Sequence, residues 1–322
     1  MIIQILMIIV GFILLIKGAD FLVDGASNVA KKFRIPEVVI ALTIVSIGTS
    51  LPELVVSLTS ALDGYSDMAV GNIVGSNIVN LLFILGLCAV IRPLEIKKQT
   101  RLFEIPINLF ATVLLFILGN SFIGDNVISR IEGLILLTFA ILFVLYNMYM
   151  AKHAKDIDKK AVEHVSHKEM KHINVFKSII GIIGGIILLK VGGDFVIKYS
   201  VLIAKDFGLS EKLIGLTILA IATSLPELVT SVTAAIKGDS DIAIGNIIGS
   251  EIFNIFLILG TCAAISPINY SISYNADMYL LMIGGLLLLL YPYTKLSKNK
   301  ISRFKGLIFI IMYAFYMIVT II

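Results

Sequence analysis

Charge is scarce in this sequence: only 15% of its 322 residues are Asp, Glu, Lys or Arg, while 58% are hydrophobic. A soluble domain is about a quarter charged and about half apolar, so that class is excluded. Apolar segments recur along nearly the whole length, and several reach the ~20 residues that cross a bilayer as a helix. They lack the alternation of polar and apolar residues over ~10 positions that membrane strands need, which excludes an outer-membrane barrel. Cysteine is scarce too. Cys88 and Cys262 both lie in apolar segments, so they read as small buried hydrophobes and no disulfide framework is expected. The opening residues MIIQILMIIVGFILLIKGADF have no basic start and no clear small-residue cleavage site, and read as a retained first span. The spans contain no His/Glu metal cluster and no nucleophile–base pair, which argues against an intramembrane enzyme. No cofactor and no nucleic-acid partner are expected, and the functional unit is expected to be a monomer in a lipid bilayer.

What is present is an all-α integral membrane pattern. About ten spans are expected, at 2–22, 36–61, 68–90, 103–119, 129–151, 174–198, 211–236, 242–264, 276–293 and 304–321. Basic residues set their orientation. One set of loops holds KKFR (31–34), RPLEIKKQTR (92–101), the 152–173 stretch, Lys237 and KLSKNKISR (295–303). The other set holds 63–67, 119–130, 199–212 and 266–277, with few basic residues. The basic set belongs in the cytoplasm, so this is a multi-pass protein of the cell membrane with both termini outside. Residues 152–173 form the one clear hydrophilic break and hold all four histidines, His153, His164, His167 and His172. They lack a closed ligand set of the structural-zinc kind, and the stretch reads as a solvated connector.

The two sides of that connector are alike. Glu227 follows Glu53 by 174 positions, and the same offset carries Gly18, Asp20 and Phe21 onto Gly192, Asp194 and Phe195. It carries DMAVGNIVGSNIVNLLFILG (67–86) onto DIAIGNIIGSEIFNIFLILG (241–260). Residues 43–93 and 217–267 are roughly 60% identical, an internal duplication. Residues 1–151 and 174–322 are thus two repeats of five spans each. Five is odd, so the second repeat enters the membrane from the opposite side, as in inverted-repeat transporters.

The duplicated motifs carry the chemistry. GTSLPEL (48–54) and ATSLPEL (222–228) put a proline and a glutamate inside apolar spans. Pro52 has no N–H and its ring clashes with the carbonyl of Gly48; Pro226 does the same to Ala222. The helices should break there, leaving carbonyl oxygens that a bound cation satisfies. Glu53 and Glu227 are costly in hydrocarbon and, across a pseudo-two-fold axis, repel each other. A divalent cation between them removes both costs, and calcium takes 6–8 oxygens of this kind. In GNIVGSNIVN (71–80) and GNIIGSEIFN (245–254), Ser76 shares a helix face with Asn80, and Ser250 with Asn254. Uncharged oxygens of this kind suit sodium. Gly71, Gly75, Gly245 and Gly249 allow close helix approach.

These residues closely resemble the calcium/cation antiporter superfamily, specifically the sodium/calcium exchangers. GTSLPE and ATSLPE match that family's two repeat signatures, and the GN..GS...N pattern matches the helix that follows each. The resemblance implies Glu53 and Glu227 as principal calcium ligands. It implies backbone carbonyl ligands from Thr49 and Thr223, and from Ser46 and Ala220 one turn earlier. Ser50, Ser224, Ser76 and Ser250 would supply sodium ligands, with Asn80 and Asn254 lining the centre. It also implies that the first and sixth spans move, with Gly18, Gly192 and Gly193 easing their sliding. Three departures stand out. Asn254 is an amide where potassium-dependent exchangers carry aspartate, which argues against potassium co-transport. Ala222 replaces the signature's first glycine and should stiffen the second break. Glu251 replaces the asparagine expected from Asn77; it reads either as a third acidic group near the pathway or as a capped residue at the lipid interface, the second being preferred because its side chain is displaced from the Ser250/Asn254 face.

The function expected is secondary antiport of sodium against calcium by alternating access. Proton/calcium antiport is the alternative, although the acidic residue such relatives carry at the place of Gly75 or Gly249 is absent. A passive channel is disfavoured by the duplicated odd-span design.

Overall fold

The computed structural model describes residues 2–33, 35–120, 126–157, 174–206, 220–293 and 299–321. The helices are α1 (Ile2–Phe33), α2 (Glu37–Thr49), α3 (Leu51–Leu62), α4 (66–91), α5 (Thr100–Gly119) and α6 (Arg130–Ile157). On the other side of the connector come α7 (Val175–Asp206), α8 (Ala220–Thr223), α9 (Leu225–Lys237), α10 (Ser240–Ile265), α11 (Asn275–Leu290) and α12 (Arg303–Ile321). Among the described residues eight helices are long and apolar enough to cross a membrane, and the bent pair α2–α3 makes a ninth. Of the span expected over 211–236, α8 and α9 are described and 211–219 are not. His164, His167 and His172 likewise lie outside the described residues.

Burial separates the helices into an inner and an outer set. The most apolar stretch of α10 is 94% buried and that of α4 is 78% buried, against 22% for α1, α6 and α12. The duplicated GN..GS...N helices are thus the centre of the bundle, and α1, α6 and α12 present leucine, isoleucine and phenylalanine to lipid. Small residues let the centre close up. A Cβ on Gly249 would sit 2.6 Å from Ser46 Oγ, and one on Gly245 would sit 2.7 Å from Ala41 Cβ. Close helix approach of this kind is how helices gain dispersion contact where lipid removes the hydrophobic drive. Turns of π-helix occur at 41–45, 79–84, 100–104 and 254–259. The second and fourth begin beside Asn80 and at Asn254, and such turns often mark functional places in helices.

The long helices α1 and α7 run antiparallel along a seam of small residues. Gly11, Gly18 and Gly25 recur every seven positions on α1. A Cβ on each would meet the backbone carbonyl of Gly192 at 2.9 Å, Gly185 at 2.9 Å and Ser178 at 2.7 Å, in descending order. Gly193, expected to share in this seam, has open space where its Cβ would be.

Two short ladders tie the halves together. β1 (Leu94–Glu95) pairs with β4 (Lys300–Ile301), and β2 (Val127–Ile128) pairs with β3 (Ile268–Asn269), both antiparallel. The 174 offset carries Leu94 onto Ile268, so β1 and β3 are equivalents. One ladder joins two loops of the basic set; the other joins two loops of the poorly charged set. The same sorting appears in the ion pairs. Lys237 at the end of α9 reaches Asp20 (3.0 Å) and Asp24 (2.8 Å) of α1, Lys300 pairs with Glu95 (2.6 Å), and Lys97 pairs with Asp241. These groups gather on the face that carries β1 and β4.

Candidate functional site

Both expected breaks are present and have nearly the same geometry. Ser50 has φ −83° and ψ 11°; Ser224 has φ −85° and ψ 7°. Neither is helical, and each is followed at once by a new helix carrying Pro and Glu in its first turn. The bend between α2 and α3 is 47°. Proline is tolerated in that first turn, where its missing N–H has no intrahelical partner to lose. With Ala222 in place of a glycine the second break keeps the shape of the first, the dihedrals of Ser224 matching those of Ser50 to within a few degrees. The space above Gly48 is filled instead by Ile186 of α7, whose Cδ1 lies 2.6 Å from a built Cβ.

The glutamates meet inside the protein. Glu53 opens α3, Glu227 opens α9, and both are 0% exposed. Their hydroxyl partners cross between halves. Ser50 Oγ donates to Glu227 Oε1 at 2.8 Å, and Ser224 Oγ donates to Glu53 Oε1 at 3.3 Å. Each glutamate also accepts from its own half: Ser76 Oγ to Glu53 Oε1 and Ser250 Oγ to Glu227 Oε1, both at 3.4 Å. The second oxygens, Glu53 Oε2 and Glu227 Oε2, have no donor. Asn80 and Asn254 are fully buried on α4 and α10, each with at least one side-chain polar atom unpartnered. The donor set is therefore two carboxylates, four hydroxyls and two amides, all hard ligands. Among the described residues no group of three or more His, Cys, Asp and Glu side chains is placed to hold a metal. Oxygen donors of this kind suit hard cations better than thiolate-seeking metals.

The residues expected to give backbone oxygen one turn earlier, Ser46 and Ala220, lie just before the breaks. The Ser46 carbonyl already accepts from the Ser50 N–H (3.0 Å) and lies 3.3 Å from the Thr49 hydroxyl. Ala220 is the first residue of α8. Thr49 and Thr223 flank the breaks, and their hydroxyls are held by residues that sequence reasoning passed over. Thr49 Oγ1 donates to Asn246 Oδ1 at 3.0 Å, and Thr223 Oγ1 donates to Asn72 Oδ1 at 3.4 Å. Asn246 Nδ2 donates to Ser231 Oγ and Asn72 Nδ2 to Ser57 Oγ, both at 2.9 Å. Each asparagine thus pins the broken end of the opposite half to the helix that follows its own. The signal was available: Asn72/Asn246 and Ser57/Ser231 are identical at the 174 offset, inside the duplicated segment. Replacing Asn246 with leucine leaves the Thr49 hydroxyl without this partner. We expect a loss of about 1–3 kcal/mol, the net worth of the two hydrogen bonds Asn246 makes to Thr49 and Ser231, read as a lower melting temperature in detergent.

Glu251 is a correction. It is 1% exposed and not at a lipid interface. The physical reason is the setting of α10, in which every residue from 241 to 256 is buried, so this part of the helix has no lipid face. Glu251 Oε2 accepts from Asn108 Nδ2 of α5.

The profile of the sodium/calcium exchanger protein family matches residues 3–149 and 177–322, which include every element of this site. The chain belongs to the sodium/calcium exchanger family. It is 37% identical over 317 residues to the putative antiporter CaxA of Alkalimonas amylolytica, covering 98% of each chain. It is 30% identical over 343 residues to the sodium/calcium exchanger MaX1 of Methanosarcina acetivorans, covering 98% of this chain and 97% of that one. Its structure superposes on the sodium-calcium exchanger NCX_Mj, crystallised with sodium and without calcium, with a TM-score of 0.82, 30% identity and 98% of each chain covered. The exchanger described here is accordingly an all-α membrane protein of two inverted five-helix repeats. It is a cation/calcium antiporter, a transporter and not an enzyme.

Proposed function

We propose that this antiporter exchanges sodium for calcium at the site formed by Glu53 and Glu227. The supporting observation is the pair of buried carboxylates, each held through Oε1 by serines of both halves and each with Oε2 free of any donor. Two ionised carboxylates fixed in this way give about two negative charges in an apolar bundle. One calcium ion neutralises them; sodium ions at the serine and asparagine oxygens do so in its place. The two ions therefore compete for one set of ligands, and occupation by either is exclusive. Thr49 and Thr223 contribute beside the carboxylates, Ser46 and Ala220 contribute backbone oxygen, and Ser50, Ser224, Ser76 and Ser250 serve sodium.

In this reading 1–151 and 174–322 work as two repeats joined by 152–173. The basic loops face the cytoplasm and both termini face outside the cell membrane. The small-residue seam joins α1 and α7 into one outer pair, and this pair shifts past the inner helices, exposing the site to one side at a time. An exchange of several sodium ions for one calcium moves net charge, so the membrane potential, worth ~2.3 kcal/mol per charge at 100 mV, drives sodium in and calcium out.

The test is calcium uptake into proteoliposomes loaded with sodium, with a protonophore present. Uptake that follows the sodium gradient is expected. Uptake that is lost with the protonophore but, in vesicles without it and without sodium, follows an imposed pH gradient would instead make this a proton/calcium antiporter.

A further inference from the structure

The two halves of the site differ at Asn77 and Glu251, and the hydrogen bonds around them differ with it. Asn77 and Glu251 are equivalents at the 174 offset, as are Asn80 and Asn254. Asn77 Nδ2 donates to the backbone carbonyl of Glu251 at 3.2 Å. A carbonyl only accepts, so this bond fixes which way the Asn77 amide is turned. Its Oδ1 is then the atom offered to Asn254, and Asn254 Nδ2 donates to it at 2.9 Å. With its nitrogen engaged there, Asn254 keeps its Oδ1 buried and free of any donor. Amide orientation is ordinarily ambiguous; here it follows from a chain anchored on an atom that cannot donate.

The other side lacks this chain. The side chain equivalent to Asn77 is that of Glu251, and its Oε2 is taken by Asn108 Nδ2 of α5. The same offset carries Asn108 onto Met282, which has no donor to offer, so nothing draws Asn77 away in the same manner. Asn80 is left with neither Nδ2 nor Oδ1 bonded, although it is fully buried.

We propose that Asn77 and the Glu251–Asn108 pair are positioning residues that set the sodium preference of the exchange site. Asn77 locks Asn254 with its oxygen presented as a cation ligand. Glu251, held by Asn108, releases Asn80, whose amide turns freely and must be ordered each time an ion binds. One half of the site is pre-organised for a cation and the other is not. This rests on the reading that Asn80 and Asn254 line the exchange site.

Two variants test it. Asn77→Leu removes the acceptor that holds Asn254, and the apparent KM for sodium should rise about two- to tenfold, the worth of one net hydrogen bond. Glu251→Asn restores the repeat and gives Asn80 the partner that Asn254 has; the sodium KM should fall by a similar factor. The sodium-induced rise in melting temperature of the purified protein should shift in the same two directions, and it needs no transport. A wild-type protein that binds sodium yet does not exchange it overturns the transport reading alone, and the melting shifts still decide the positioning role. A folded Asn77→Leu with unaltered sodium KM and unaltered melting shift overturns the proposal. Should that variant not fold, an unchanged or raised sodium KM in Glu251→Asn overturns it.

Discussion

Glu227→Gln should reduce calcium transport to background, a fall of about 100-fold or more, while the protein still folds. Glutamine is nearly isosteric with glutamate, and its carbonyl oxygen still accepts from Ser50 and Ser250, which now meet Oε1 at 2.8 and 3.4 Å. The packing around α9 is therefore kept. What changes is charge. With one carboxylate left, a bound calcium carries an uncompensated positive charge in a region where charge is expensive. Calcium affinity in oxygen sites follows the number of charged ligands over several orders of magnitude, so losing one of two is severe. Glu53→Gln should behave alike, because the two residues have equivalent partners. The measurement is calcium uptake in proteoliposomes alongside elution as a monodisperse species. Unaltered calcium flux in both variants would remove these glutamates from the site.

Gly18→Val should disable the protein by another route. A Cβ at Gly18 would lie 2.9 Å from Gly185 O, 2.9 Å from Leu189 N and 3.0 Å from Leu188 Cβ. Carbon prefers ~3.5–4.0 Å, and two of these neighbours are backbone atoms that cannot rotate aside. The α1–α7 seam must open along its length, since Gly11 and Gly25 are bound to the same line of contact. Overpacking of this kind costs about 1–3 kcal/mol. Transport should fall further than stability, by about tenfold or more, because a pair of helices with an opened seam no longer moves as one body. Gly193→Val is the control. No atom lies within 4 Å of its built Cβ, so stability should change by no more than about 0.5 kcal/mol. Equal transport in the two valine variants would show that the seam has no part in the exchange cycle.

That control also marks where sequence reading reaches its limit. Gly192 and Gly193 are adjacent and of one kind, yet only Gly192 touches α1; a helix turns about 100° per residue, and which side faces a neighbour is set by the neighbour. Glu251 is the same case. Its offset from the Ser250/Asn254 face was readable, but a residue off the site faces lipid only if its helix has a lipid side there, and α10 has none from 241 to 256. Asn72 and Asn246 lay inside a motif already singled out. Their bridging role was hidden because Thr223 and Thr49, the groups they hold, are 151 and 197 positions away.

The sequence by itself determined the membrane class, the duplication at a 174-residue offset, both helix breaks and the identity of the two glutamates. Each of these follows from local chemistry: hydropathy over a span's length, a ring that lacks an N–H, a carboxylate in an apolar run. Tertiary structure alone decided the crossed pairing of Ser50 with Glu227 and Ser224 with Glu53, the enclosure of α10, and the diversion of Glu251 to Asn108. Those depend on which helix stands opposite which, and a contact between distant segments leaves no periodic trace in either one.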